Sequence, residues 1–228
     1  MKIGILQCGH TPDEVKASHG DFDLLFHQMF EGQNFTFQTW NVVDMAFPRS
    51  PKSADGWLVT GSKHGAYEDH AFIPKLEELI RRIYDADRPM VGICFGHQII
   101  AQALGGTVEK FTGGWAIGRH DYEMEGLGRV AVNAWHQDQV VTVPADARVI
   151  GSSPFCRNAA LVYGDKVMTV QPHPELTNPV IGSYIENRRG TADYPEDLMD
   201  QAQAAVSLPN EGDKVAQALA DFLKRGAP

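Results

Sequence analysis

Cys94 stands in MVGICFGHQIIAQALGG, residues 90–106, where an apolar run of strand length meets a segment with helical spacing. Gly92 and Gly96 bracket it at i−2 and i+2, the spacing of the G-x-S-x-G nucleophile elbow with sulfur in place of oxygen. Such a turn projects the side chain clear of the sheet edge, over a helix N-terminus carrying roughly half a positive charge. Both features suit a thiolate nucleophile. Most single cysteines are buried core residues, and that reading is kept for Cys8 and Cys156, which have no glycine bracket.

A nucleophilic cysteine needs a base to take its proton and return it to the leaving group, and the base needs an orienting partner. His173 and Glu175 have the types for both roles. They lie in VMTVQPHPE, a strand-like run ending in a turn in which Pro172 and Pro174 restrict the backbone on either side of the imidazole. At i and i+2 of an extended segment their side chains share one side.

GICFGHQ at 92–98 and QPHPE at 171–175, in this order, resemble the catalytic segments of the class I glutamine amidotransferases. The resemblance extends to TGSKHGAYED at 60–69 and WHQD at 135–138, so it covers roughly residues 55–176. It implies Cys94 as nucleophile, His173 as general base and acid, and Glu175 as the group that orients His173. It further implies an oxyanion hole from the backbone N–H groups of Phe95 and of Gly61 or Ser62, each donor contributing ~3 kcal/mol to the barrier reduction. Gln98 stands where the family has a glutamine that contacts the α-amino-acid end of the substrate, with His136 and Asp138 near that pocket. Read without the resemblance, Gln98 and His97 sit early in a helix, where polar side chains often satisfy backbone groups.

The reaction so implied is hydrolysis of a γ-glutamyl amide through a γ-glutamyl thioester, with no cofactor. With glutamine the leaving group is ammonia, which the family's biosynthetic members pass to a synthase. The 228 residues hold no ATP-binding half beside the amidotransferase-like unit, so two enzymatic readings stand: a separate synthase subunit receives ammonia, or the chain acts alone on γ-glutamyl peptides or amides. Biosynthetic members commonly carry Gly-Gly-Pro where this chain has Thr60-Gly61-Ser62-Lys63-His64, a departure that favours stand-alone hydrolysis. Two further readings are a non-catalytic regulatory relative, disfavoured by the intact Cys94, His173 and Glu175, and another cysteine hydrolase on the same elbow, which gives no reason for Gln98 or the Pro-His-Pro-Glu turn.

Strand-like runs KIGIL, FTFQTWNVV, GWLVTG and MVGIC alternate with helical spacing, the pattern of a parallel sheet covered by helices. The clearest helix follows Pro74, with Leu76, Leu79, Ile80 and Ile83 on one face and Pro89 as its stop. From Thr107 to Met168 the texture becomes RVAVNAW, QVVTV, ARVIGSS, AALVYG and KVMTV, broken by turn residues as in antiparallel hairpins. Helical material follows at Val180–Arg188, Glu196–Val206 and Asp213–Lys224. These elements predict an α/β fold with a mixed sheet in one domain over 1–228; the resemblance makes it a three-layer, flavodoxin-like sandwich with a mostly parallel central sheet. TGGWAIGRHDYE, 112–123, offers Trp115 or Arg119 as a substrate wall, although aromatic residues more often pack than bind.

With 20 basic and 29 acidic residues the formal charge is −9, a poor footprint for polyphosphate, so nucleic acid is not an expected partner. MKIGILQCGH is too briefly apolar for a signal peptide, and no run approaches the ~18 apolar residues of a membrane span. Three cysteines without paired spacing suggest a reducing compartment, by default the cytoplasm. Nine histidines include His64, His70, His97, His120 and His136, but none has HExxH or CxxC framing, so no metal site is expected. TGSKHG lacks the full phosphate-loop spacing, and no nucleotide site is expected either.

Overall fold

The computed structural model describes residues 1–226. Eleven strands run in chain order as β1 (Lys2–Gln7), β2 (Thr36–Asn41), β3 (Gly56–Val59), β4 (Met90–Ile93), β5 (Thr107–Lys110), β6 (Ala116–Met124), β7 (Gly128–His136), β8 (Asp138–Thr142), β9 (Arg148–Ser152), β10 (Ala160–Tyr163) and β11 (Val167–Val170). Seven α-helices accompany them among the described residues: α1 (Asp13–His19), α2 (Phe22–Met29), α3 (Phe72–Asp85), α4 (Phe95–Ala103), α5 (Asn178–Arg188), α6 (Glu196–Ala205) and α7 (Gly212–Arg225).

Nine strands form one sheet in the order β2-β1-β3-β4-β11-β10-β9-β6-β7, and β5 pairs with β8 in a separate ribbon. From β2 to β11 every neighbour is parallel; from β11 to β7 every neighbour is antiparallel. The expected mixed α/β sheet is present. The two central strands of its parallel half are apolar: Gly56–Val59 and Met90–Ile93 are buried at every position, as strands covered on both faces must be.

Alternation along these strands feeds two cores. Leu58, Val91, Ile93 and Val170 join the cluster beneath α2, α5, α6 and α7, whereas Trp57, Val59, Met90 and Val167 join the cluster beneath α3 and α4. The face read in α3 is buried as expected, through Leu76, Leu79, Ile80 and Ile83, and Val215, Leu219 and Leu223 of α7 pack into the other core. No helix among the described residues is long and apolar enough to cross a membrane.

The helical segment expected between the first two strand-like runs is present as α1 and α2, broken at Gly20, whereas residues 44–55, between the second and third runs, form no α-helix. The segment 112–123, from which the sequence offers Trp115 or Arg119 as a substrate wall, runs into the long strand β6, paired with β7 in continuous register from Ala116↔His136 to Met124↔Gly128. Its alternation is masked by Arg119, His120 and Asp121, which are tolerated because that stretch is only partly covered.

Candidate active site

Four chain segments converge beyond the carboxyl ends of the parallel strands, where crevices open in sheets of this kind: Gly9 and His10 after β1, Ser62 to Gly65 after β3, Cys94 after β4, and His173 after β11. With residues from β7, β8 and α5 they line a cleft of about 600 Å³.

Cys94 occupies the turn between β4 and α4 with φ 55° and ψ −107°. A positive φ at a non-glycine residue costs on the order of 1–3 kcal/mol and persists only where the surroundings enforce it. Two close approaches do so. A β-carbon on Gly92 would lie 2.7 Å from the Gly96 backbone, and one on Gly96 would lie 2.1 Å from the carbonyl oxygen of Val59. Cys94 N–H donates to the Val170 carbonyl at 2.9 Å and Gln98 N–H to the Cys94 carbonyl at 3.1 Å, tying the turn to β11 and starting the helix. Only 5% of Cys94 is exposed, and it lines the cleft.

His173 is carried into the same cleft by the turn after β11. Its N–H donates to the Asn133 carbonyl at 2.8 Å, while Asn133 Nδ2 donates to the Leu176 carbonyl at 2.7 Å, so one buried residue of β7 grips both ends of the Pro-His-Pro-Glu segment. His173 Nδ1 lies 2.6 Å from Glu175 Oε1, and both side chains are buried. The other ring nitrogen, Nε2, is buried without a close hydrogen-bond partner among the described residues, as is Glu175 Oε2. Burial alone would depress the His173 pKa, but the Glu175 carboxylate and the nearby Cys94 sulfur hold it well above the ordinary histidine range. A cationic imidazole next to the carboxylate compensates a charge that would be costly if buried alone.

Gly61 abuts this pair: a β-carbon there would come within 3.3 Å of His173 Cε1. The N–H groups of Gly61, Ser62 and Phe95 donate to no backbone carbonyl among the described residues. Phe95 opens α4, whose first turn has no internal acceptors.

Gln98 is buried, and its Nε2 donates to the Asp138 carbonyl at 2.9 Å and to Gln171 Oε1 at 3.1 Å. Its amide donors are thus engaged inside the protein, while the side chain still borders the cleft. His136 is buried with Nδ1 3.2 Å from the Asp138 carbonyl, and burial lowers its pKa to about 3, which keeps it neutral. Asp138 accepts from Tyr67 Oη at 3.2 Å; burial raises its pKa, opposed by that hydrogen bond and by Lys110. His97 lies away from the cleft, buried against Thr169 Oγ1 at 2.8 Å, with its pKa lowered to about 3 by burial. Cys8 and Cys156 are buried free thiols, and burial pushes Cys156 up to about 12.

Of the proposed wall, Trp115 borders the cleft. Arg119 does not: its Nε donates to the Pro209 carbonyl at 2.9 Å and its guanidinium pairs with Asp121. Trp135, Tyr184 and Tyr194, none singled out from the sequence, complete an aromatic wall with Trp115, at ring separations of 4.8 Å for Trp115–Tyr194, 5.1 Å for Trp135–Tyr194 and 5.5 Å for Trp135–Tyr184. His10 also lines the cleft, its Nδ1 2.6 Å from Asp21 Oδ2, a hydrogen bond that raises its pKa. These residues come from separate segments, and no spacing in the chain connects them.

The profile of the glutamine amidotransferase class-I family matches residues 35–189, more than half of the chain, and the chain belongs to that family. It is similar to gamma-glutamyl peptidase 4 of Arabidopsis thaliana, at 26% identity over 94% of this chain and 93% of that one. It also resembles one subunit of the glutamine-hydrolyzing GMP synthase of Halobacterium salinarum, at 29% identity over 75% and 92% of the two chains. Among solved structures, a glutamine amidotransferase from Methylobacillus flagellatus superposes with a TM-score of 0.76 at 20% identity, over all of this chain and 95% of that one. At that identity the likeness speaks to the fold.

Proposed function

We propose that this protein hydrolyses a γ-glutamyl amide, with Cys94, His173 and Glu175 as its catalytic triad. The observation that carries the reading is the buried His173–Glu175 pair, 2.6 Å apart, whose imidazole lines one cleft with a cysteine on a strained, glycine-bracketed turn. The sulfur of Cys94 attacks the γ-carbonyl carbon, and the oxyanion is met by N–H groups of Phe95 and of Gly61 or Ser62. His173 passes its proton to the leaving amine as the C–N bond breaks and the thioester forms. A water molecule, deprotonated by the same imidazole, then hydrolyses the thioester to glutamate and free Cys94. Glu175 holds the ring tautomer and offsets the positive charge on it.

Similarity to a gamma-glutamyl peptidase along nearly the full chain supports a hydrolase that works alone. The likeness to part of a GMP synthase supports a second reading, in which this chain delivers ammonia to a separate synthase. Glutamate release by the purified protein from glutamine and from a γ-glutamyl dipeptide separates them. Rapid release from the dipeptide, absent in Cys94→Ser, is the expected result; weak release confined to glutamine supports the synthase reading, and turnover retained by Cys94→Ser overturns the nucleophile.

A further inference from the structure

The chain between Ser62 and Phe72 brings together three side chains that the hydrolytic scheme leaves without a role. His64, Glu68 and His70 each offer a ligand atom, all within 4.8 Å of one another. Glu68 Oε2 lies 2.8 Å from His70 Nε2 and 3.6 Å from His64 Nδ1, and the two imidazole centroids are 4.1 Å apart. The ligands follow an H-x3-E-x-H order that belongs to neither a helix nor a strand. Successive turns gather them instead: Glu68 N–H donates to the Gly65 carbonyl at 3.1 Å, His70 N–H to the Glu68 carbonyl at 3.0 Å, and Ile73 N–H to the His70 carbonyl at 3.0 Å.

From this arrangement we propose that His64, Glu68 and His70 form a site for a divalent transition ion of the zinc class at the rim of the cleft. Metal–ligand distances of about 2.0–2.2 Å in tetrahedral geometry separate neighbouring ligand atoms by about 3.4 Å. The His64–Glu68 edge already has that length, and the His70–Glu68 contact has to open only by rotation of half-exposed side chains. Two neutral imidazoles and one carboxylate suit an ion of borderline softness, and three protein ligands leave the fourth position open. His64 and Glu68 line the cleft, so that position is available to water or to an acceptor atom of a ligand. As a purely electrostatic cluster the same residues would contribute little, because exposed pairs are worth ~0–1 kcal/mol.

An ion here would stiffen the turn that carries Gly61 and Ser62. His64 N–H donates to Ser62 Oγ at 3.1 Å, and Phe72 packs against both His70 and His64, at 6.0 and 5.8 Å between ring centroids, and against Phe95, the residue after Cys94, at 6.2 Å. The consequence is an oxyanion turn whose order depends on occupancy of the rim site.

The test uses the Cys94→Ser chain, which removes a thiol that could itself bind metal, after stripping with a chelator. Zinc is titrated against a chromogenic chelator, and Co(II) is added separately to read its ligand-field absorption. The expected result is one ion per chain, a tetrahedral Co(II) spectrum without thiolate charge transfer, and a rise in Tm with zinc. All three are lost when Glu68→Gln and His70→Ala are added. Zinc uptake and Tm unchanged by those substitutions, or no uptake by the parent, overturn the site. The Co(II) spectrum of the parent decides the matter even if the substituted chain does not fold.

Discussion

Gly96 lies so close beneath β3 that a β-carbon on it would stand 2.1 Å from the carbonyl oxygen of Val59, well inside contact distance. This approach, with the matching one between Gly92 and Gly96, lets α4 begin directly at the end of β4 and holds Cys94 at φ 55°. The geometry of this turn is therefore set by backbone packing rather than by the cysteine.

Gly96→Ala is expected to destabilise the protein by at least the ~1–3 kcal/mol typical of overpacking, because rigid backbone cannot yield as a side chain would. For a chain of this length that corresponds to a fall in Tm of about 2–4 °C per kcal/mol, measurable by calorimetry. Folded protein should also lose γ-glutamyl turnover as the elbow is displaced. An unchanged Tm with full activity would show that the turn tolerates a side chain at 96.

Replacing members of a triad one at a time has unequal consequences. His173→Ala is expected to lower kcat on the order of 10⁶-fold and Glu175→Gln on the order of 10⁴-fold, since in the proposed mechanism the first removes the proton carrier and the second its orienter. Glu175 touches Nδ1, not the reacting atoms, so its loss should fall on kcat with little change in KM. Steady-state rates on a γ-glutamyl dipeptide check this; wild-type rates in both variants would remove the pair from the mechanism.

The charge on His173 gives a prediction in pH. Its folded pKa is raised by Glu175 and Cys94 against the opposing effect of burial. A group raised in this way contributes stability that is fully present below its unfolded value, about 6.5, and is lost as pH rises through the higher folded value. Taking away the sulfur removes one of the two supports, so in Cys94→Ser the imidazole should titrate at lower pH than in the parent. The Cε1 proton resonance of His173 followed against pH by NMR reports this directly; identical titration curves would mean that Cys94 does not interact with the ring.

Much of the site could be read along the chain because its parts are local. Cys94 is marked by glycines two residues away on either side, and His173 and Glu175 by the prolines between and beside them, since a tight elbow and a rigid turn each need particular neighbours. The helix over Leu76 to Ile83 and the strand over Met90 to Ile93 were legible for the same reason: periodic burial writes periodic sequence. Where burial is uneven the signal fades, as in β6.

The sequence by itself determined the α/β class, the elbow beneath Cys94, the Pro-His-Pro-Glu turn and membership of a family that joins them. Only the tertiary structure decided that Asn133 grips both ends of that turn, that Gln98 spends its donors on Asp138 and Gln171, that Arg119 faces Pro209 rather than the cleft, and that His64, Glu68 and His70 meet at its rim. The division has a physical cause. Elbows, caps and strand periods depend on neighbours within a few residues, whereas the walls of a cleft are built from side chains whose proximity exists only after the strands have been ordered into a sheet.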